Sequence, residues 1–479
     1  MLTLDASGTV YDPGEVTVEE GRITAVGPRR DLPAGPDGEV IDAPGGMILP
    51  GLVNAHCHSS DTLVRGTAPT LPLEAWSQFT EAGRFGRTPR EIYLSAALSA
   101  IEALKTGTTT LLDHLRLSPA PTLEGLEAAA QAYLDIGIRA VVAPVLSDVP
   151  ASEAVPLDLI ELPDGLAHPL RRPPASWREQ ADVTAAFVEK WKSRIGVQVG
   201  PSAPHRCSDA LLERCGEISA RHGVRIHTHF LETPAQALIS ARRFQGGPAR
   251  HLAALGLLPD TSLVHCVHAD DVETISASGA VVVHCPIANL KLDSGRMLWK
   301  AFADRRVPLA LGTDGALCND SLSMFGVMKM TALIHTPLGP SVDDVLRAAV
   351  HGGARACGLS DVGVLAPGYR ADLIVLDPAV HHDAPGRAVY GEEWRPVHAV
   401  VAGGRVVVRS GTVTTVDEAA ILAEARESSA NLLARNASRF QLAEQAAPYL
   451  QRLAARAKEV YASTRSGMGP SGSSSRTSA

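Results

Sequence analysis

His56 and His58 close the apolar run Met47-Ile48-Leu49-Pro50-Gly51-Leu52-Val53-Asn54-Ala55. In a strand, residues i and i+2 point to the same side, so these two imidazoles can grip one metal ion while Cys57 faces away. Three other stretches place imidazoles or carboxylates behind an apolar segment of strand length. They are Ile226-His227-Thr228-His229-Phe230-Leu231-Glu232, His265-Cys266-Val267-His268 and Leu311-Gly312-Thr313-Asp314-Gly315.

A catalytic zinc takes histidine and carboxylate ligands and keeps one position for water. His56, His58, a histidine from the 226–230 stretch and Asp314 would supply three imidazoles and one carboxylate. Such a metal lowers the pKa of its water towards neutrality. A departing nitrogen must leave protonated, and Glu232, just beyond His229, suits that proton shuttle. His229 is preferred to His227 as ligand because it lies nearer the strand end and nearer Glu232; His227 reads as a core histidine one layer deeper. His265 could orient the water or polarise the substrate, whereas His268 falls in the following loop. His284 either contacts substrate or braces the pocket. His205, Trp76, Arg65 and Ser321 are candidates for substrate contact, each equally readable as structural support. The stretch Ile195-Gly196-Val197-Gln198-Val199-Gly200 ends in neither Lys nor Glu, so nothing is offered to bridge a second metal.

These groups need a scaffold that brings strand ends together. Strands are expected at 47–56, 108–114, 139–146, 196–201, 224–230, 261–267, 279–284 and 307–313, with helical stretches such as 89–105, 122–136, 208–222 and 343–357 between them. That alternation predicts a parallel (β/α)₈ barrel over 48–359, whose chemistry sits at the C-terminal ends of its strands. Residues 1–47 and 360–415 contain further short strands, expected to combine into one small β-domain because neither set makes a stable sheet alone. Proline-rich residues 147–178 read as a long loop with one helical turn. Residues 416–462 read as helical, and 463–479, rich in Gly and Ser, as a disordered tail.

The 479-residue chain has 45% hydrophobic residues and a net charge of −8, which argues against a nucleic-acid surface. No apolar run reaches membrane-spanning length, and no secretory leader is expected from Met1-Leu2-Thr3-Leu4-Asp5. Seven scattered cysteines without C-x-x-C spacing predict reduced cytoplasmic thiols.

Taken together, Pro50-Gly51-Leu52-Val53-Asn54-Ala55-His56-Cys57-His58, Leu73-Glu74-Ala75-Trp76, His229-Phe230-Leu231-Glu232-Thr233, His265-Cys266-Val267-His268, His284-Cys285-Pro286 and Gly312-Thr313-Asp314-Gly315 resemble the amidohydrolase superfamily. The resemblance is to its mononuclear deaminase and chlorohydrolase branch. It implies a barrel with a composite β-domain and one Zn²⁺ or Fe²⁺ on His56, His58, His229 and Asp314. It further implies that Glu232 protonates a ring nitrogen, Asp314 takes the water proton and His265 holds the attacking oxygen. The substrate would be a small molecule, the reaction a deamination at an amino-substituted N-heterocycle or amidine-like carbon or, alternatively, a chlorohydrolysis or hydrolysis of a guanidine or cyclic amide. Members are commonly cytoplasmic homo-oligomers, often dimers. After the fourth strand the chain departs from the adenosine-type deaminases, with Gly200-Pro201-Ser202 in place of Gly-Pro-His and its histidine later, at His205.

Overall fold

The apolar run ending in His56 and His58 is two strands rather than one. In the computed structural model, which describes residues 1–30, 38–392 and 397–467, Met47–Pro50 pairs antiparallel with Leu373–Leu376 while Leu52–His58 pairs parallel with Thr108–Asp113. Gly51 permits the change of partner: a Cβ there would sit 2.1 Å from Thr109 Oγ1. The single strand expected over 47–56 is corrected accordingly, because side-chain alternation does not register a switch of hydrogen-bonding partner.

Eight parallel strands close the (β/α)₈ barrel. Leu52–His58 is followed by Thr108–Asp113, Arg139–Val142 with its extension Val145–Leu146, and Gly196–Val197 with Gly200–Pro201. Then come Ile226–Phe230, Thr261–His265, Val281–His284 and Leu309–Leu311 with Asp314–Gly315. A parallel bridge from Val199 to Ile226 joins the fourth strand to the fifth. The last strand closes the ring by pairing Asp314 with Cys57 and Gly315 with His58. Helix boundaries follow local chemistry. Pro89–Lys105 opens on a Thr88/Glu91 capping box with proline in its first turn. Leu123–Ile136 and Asp209–His222 start on the side-chain caps Thr122 and Ser208 and stop at Gly137 and Gly223, both left-handed.

An antiparallel sheet of Met47–Pro50, Leu373–Leu376, Ala399–Ala402, Arg405–Arg409 and Thr412–Val413 draws on both sides of the barrel sequence. The hairpin Gly14–Glu19/Arg22–Pro28 stays a separate two-stranded sheet, tethered by a bridge from Arg22 to Arg370 and by packing of Ile23 with Leu373 and Val375. Residues 147–178 hold more helix than the expected single turn: Ala151–Ala154, Leu157–Leu159 and Asp164–Arg171 precede Trp177–Trp191. Pro150, Pro156 and Pro163 sit at helix starts, where a missing N–H costs nothing, while Pro169 falls within the short helix Asp164–Arg171. The C-terminal helices Glu418–Arg435 and Ala437–Gly467 follow, the second packing its alanines Ala443, Ala446 and Ala447 in one apolar cluster with Ala75, Trp76 and Phe79. It carries helix past 463, where a disordered tail was expected; the remainder of that expectation, 468–479, lies outside the described residues. Among the described residues no helix is long and apolar enough to cross a membrane.

Candidate metal-dependent active site

His56 and His58 leave the end of the first barrel strand, His229 the fifth, His265 the sixth, and Asp314 the eighth. Two of these turn inward by unusual backbone: His265 has φ 74° and Asp314 φ 61°. Left-handed conformations in non-glycine residues cost energy and persist where the surroundings dictate them. Here they aim the side chains into the barrel mouth where the strands stop.

The donor atoms converge. His58 Nε2 lies 3.2 Å from His229 Nε2 and 3.5 Å from Asp314 Oδ1, and His56 Nε2 lies 3.6 Å from the same oxygen. Ligands of a tetrahedral ion at roughly 2.0–2.1 Å stand about 3.3 Å apart, so the spacing fits one metal. The tautomers fit as well. His58 Nδ1 donates to the His114 carbonyl at 2.7 Å and His229 Nδ1 to the Ser202 carbonyl at 2.7 Å. His56 Nδ1 meets His227 Nε2 at 2.8 Å. Each outer nitrogen is thus occupied, leaving three Nε2 lone pairs facing inward, and buried His56 Nε2 has no hydrogen-bond partner. A buried polar atom without a partner is costly, and a bound cation removes that cost.

Electrostatics agree. Burial lowers the pKa of His56, and that of His58 and His229 well below the ordinary histidine value, so they present neutral imidazoles. Burial pushes Glu232 up to about 7 against the opposing pull of His265, whose Nε2 lies 3.5 Å from Glu232 Oε2. Ser294 Oγ donates to Glu232 Oε1 at 3.2 Å, and the Glu232 backbone N–H donates to Gln236 Oε1, fixing the turn.

A sequence profile of the amidohydrolase family matches residues 47–407. The chain is 35% identical over 437 residues to a 5-methylthioadenosine/S-adenosylhomocysteine deaminase of Syntrophobacter fumaroxidans, covering 87% of this chain and 93% of that protein. This chain belongs to the amidohydrolase family. A 5′-deoxyadenosine deaminase of Methanosarcina mazei is 31% identical, with 91% of this chain and 97% of the relative covered. Among solved structures, an adenosine deaminase from Xanthomonas campestris with bound zinc superposes with a TM-score of 0.75 at 27% identity, covering 88% and 93% of the two chains. The zinc complex of atrazine chlorohydrolase from Arthrobacter aurescens shares the fold, with a TM-score of 0.79 at 23% identity over 89% and 98%.

The site of this amidohydrolase therefore takes a divalent metal ion. It opens into a cavity of about 490 Å³ lined by His58, His229, Glu232, His265 and Asp314, and also by Trp76 and His205. Trp76 Nε1 is buried without a partner, as a group awaiting an acceptor would be. His284 and Ser321, read as candidates for substrate contact, are not among the lining residues. His284 Nε2 lies 3.2 Å from His335 Nε2 behind the wall, and Ser321 Oγ accepts from the Ser323 N–H at the start of a helix. His284 ends its strand, but strand-end position does not distinguish a side chain facing the mouth from one turned aside, and Ser321 takes the structural role that was its alternative reading.

Residues 108–114 conceal a histidine the sequence reading passed over. His114 stacks on His58 with centroids 5.7 Å apart and lies tilted against His229 at 4.8 Å, and its backbone oxygen holds His58 Nδ1. Its neighbour Asp113 accepts from the Ser59 N–H, Ser59 Oγ and Tyr133 OH, clamping the turn after His58. The signal was there: Leu111-Leu112-Asp113-His114 is another apolar stretch ending in ionisable groups.

Proposed function

We propose that this protein is a zinc-dependent hydrolytic deaminase that releases ammonia from an amino-substituted N-heterocycle, with adenine nucleosides the first class to test. The carrying observation is the placement of Glu232, a carboxyl with a pKa near neutrality, beside His265 on the wall that also holds His58, His229 and Asp314. The relatives named above, at 31% and 35% identity over most of both chains, support the nucleoside class. Three imidazoles and one carboxylate support zinc over a hard oxygen-loving cation.

His56, His58, His229 and Asp314 would hold the ion, which when bound acidifies water and makes hydroxide available near neutral pH. The remaining work falls to the protein. Asp314 Oδ2, 3.9 Å from His265 Nε2, accepts the proton released as water adds to the carbon bearing the amino group. His265 is fixed through Nδ1 to Asn289 Oδ1 at 2.8 Å, so its Nε2 faces the reaction space and aligns the attacking oxygen. Glu232 donates a proton to the adjacent ring nitrogen. The proton taken up by Asp314 then passes to the amine, the C–N bond breaks as the added hydroxyl returns its proton to Glu232, and ammonia and the oxo heterocycle leave.

The test is ammonia release by zinc-loaded protein against purine nucleosides, pyrimidines, triazines and guanidines. Turnover of an amide or halide with no ammonia from any C–NH₂ compound would overturn the deaminase reading. Seven free, buried cysteines support a reducing, cytoplasmic setting. A homodimer is the expected assembly, checked by light scattering on a sizing column.

A further inference from the structure

The cavity wall carries arginines whose charges the protein leaves largely unanswered. Arg84 is accounted for, since it binds buried Asp61 through Nε at 2.8 Å and Nη2 at 2.6 Å. Arg116 and Arg206 are not. The carboxylate that approaches Arg116 is Glu81, at a loose 3.9 Å, and Glu81 also accepts from Ser118 Oγ. Among the described residues the Arg206 side chain has no hydrogen-bond or ion-pair partner. Burial, followed by the neighbouring Arg116 charge, lowers its pKa to about 10.

Both arginines are tied to the metal-binding groups. Arg116 stands two residues beyond His114, whose carbonyl holds His58 Nδ1. Arg206 ends the short turn Pro204–Arg206, four residues beyond Ser202, whose carbonyl holds His229 Nδ1. The backbone oxygen of Arg206 accepts from the Asp148 and Val149 N–H groups, so the turn has a fixed seat. Two half-buried guanidiniums facing one cavity repel each other and lose hydration unless an anion answers them. Guanidinium forks match carboxylate and phosphate oxygens in bidentate fashion.

Resting on the deaminase reading, we infer that Arg116 and Arg206 form a subsite for an anionic end group, carboxylate or phosphate, on the part of the substrate remote from the amino-bearing carbon. The subsite makes the enzyme selective for charged over neutral members of its substrate class.

The experiment uses the zinc-loaded full chain and three adenosine derivatives. One is a 5′-thioether ending in methyl, the second a 5′-thioether ending in carboxylate, and the third the 5′-phosphate. We expect kcat/KM for at least one anionic compound to exceed that of the methyl compound by about tenfold or more, the worth of one charge-assisted hydrogen bond. Whichever anion gains identifies the end group. In Arg206→Gln and in Arg116→Gln that ratio should fall towards one, and Arg206→Lys should restore part of it. A ratio near one in the parent protein, or a ratio unchanged in both glutamine variants, overturns the subsite. Calorimetric binding of the same compounds is read in parallel. Absence of ammonia from all three would overturn the adenine-nucleoside reading alone, while the anionic-to-neutral ratio of binding constants still decides the subsite. Melting curves of each variant confirm that a lost ratio is not lost fold.

Discussion

His227 Nε2 lies 2.8 Å from His56 Nδ1 with both rings fully buried, so one imidazole of the fifth strand sets the tautomer of another on the first. With His56 Nδ1–H donating to His227, the lone pair of His56 Nε2 is directed at the shared metal position. His227 is the core histidine one layer deeper that its spacing suggested, yet its work is positional. His227→Ala is therefore expected to weaken metal binding by about 10–100-fold, the usual effect of removing a hydrogen-bond partner of a ligand. Competition titration with a chromophoric chelator measures it, and parent-like affinity would show that His56 needs no such support.

Glu232→Gln keeps the shape and the neutral hydrogen-bonding capacity of the residue but removes the exchangeable proton. Metal content should stay stoichiometric while kcat falls by about 10²–10⁴-fold. Elemental analysis beside steady-state kinetics separates the two; near-parent turnover would remove Glu232 from the mechanism.

His205 ties acid stability to the cavity wall. Burial, reinforced by the Arg206 and Arg243 charges, lowers its pKa from 6.5 to about 3. The unfolded chain therefore binds a proton that the native state refuses, and stability falls as pH drops from about 6.5 towards about 3. At about pH 5 this residue alone accounts for about 2 kcal/mol of destabilisation relative to neutral pH. His205→Gln should shrink the neutral-to-acid difference in denaturant-unfolding free energy by about that amount. An unchanged difference would mean that His205 titrates normally.

Gly315 sits where no side chain fits. A Cβ there would lie 2.1 Å from Asp61 Oδ2, and Asp61 is locked to Arg84. The Gly315 N–H also donates to Asp314 Oδ1 at 2.7 Å. Gly315→Ala must push apart the strand that carries Asp314, costing about 1–3 kcal/mol and reducing metal occupancy. Thermal melting and metal analysis test both consequences; parent values in each would show that the strand can yield.

Chelation should abolish activity and lower the melting temperature, because removing the ion leaves His56 Nε2 buried without a partner. Zinc added back should restore both. Full activity after exhaustive chelation, with no metal by elemental analysis, would sink the metal-dependent reading.

The residues that could touch a cation were readable from the chain because they obey one local rule: ionisable groups end apolar stretches of strand length. His56, His58, His229, His265 and Asp314 share that pattern, and the alternation of strands with capped helices predicts the barrel that gathers them. What the pattern lacks is direction. Whether His284 faces the mouth or His335, whether His227 is spare or props His56, and whether Arg206 finds a carboxylate depend on neighbours far away in sequence. Packing and backbone twist decide those matters, as the left-handed turns at His265 and Asp314 show. The switch of sheets at Gly51 belongs with them, since periodicity records which side a residue faces and not which strand it meets.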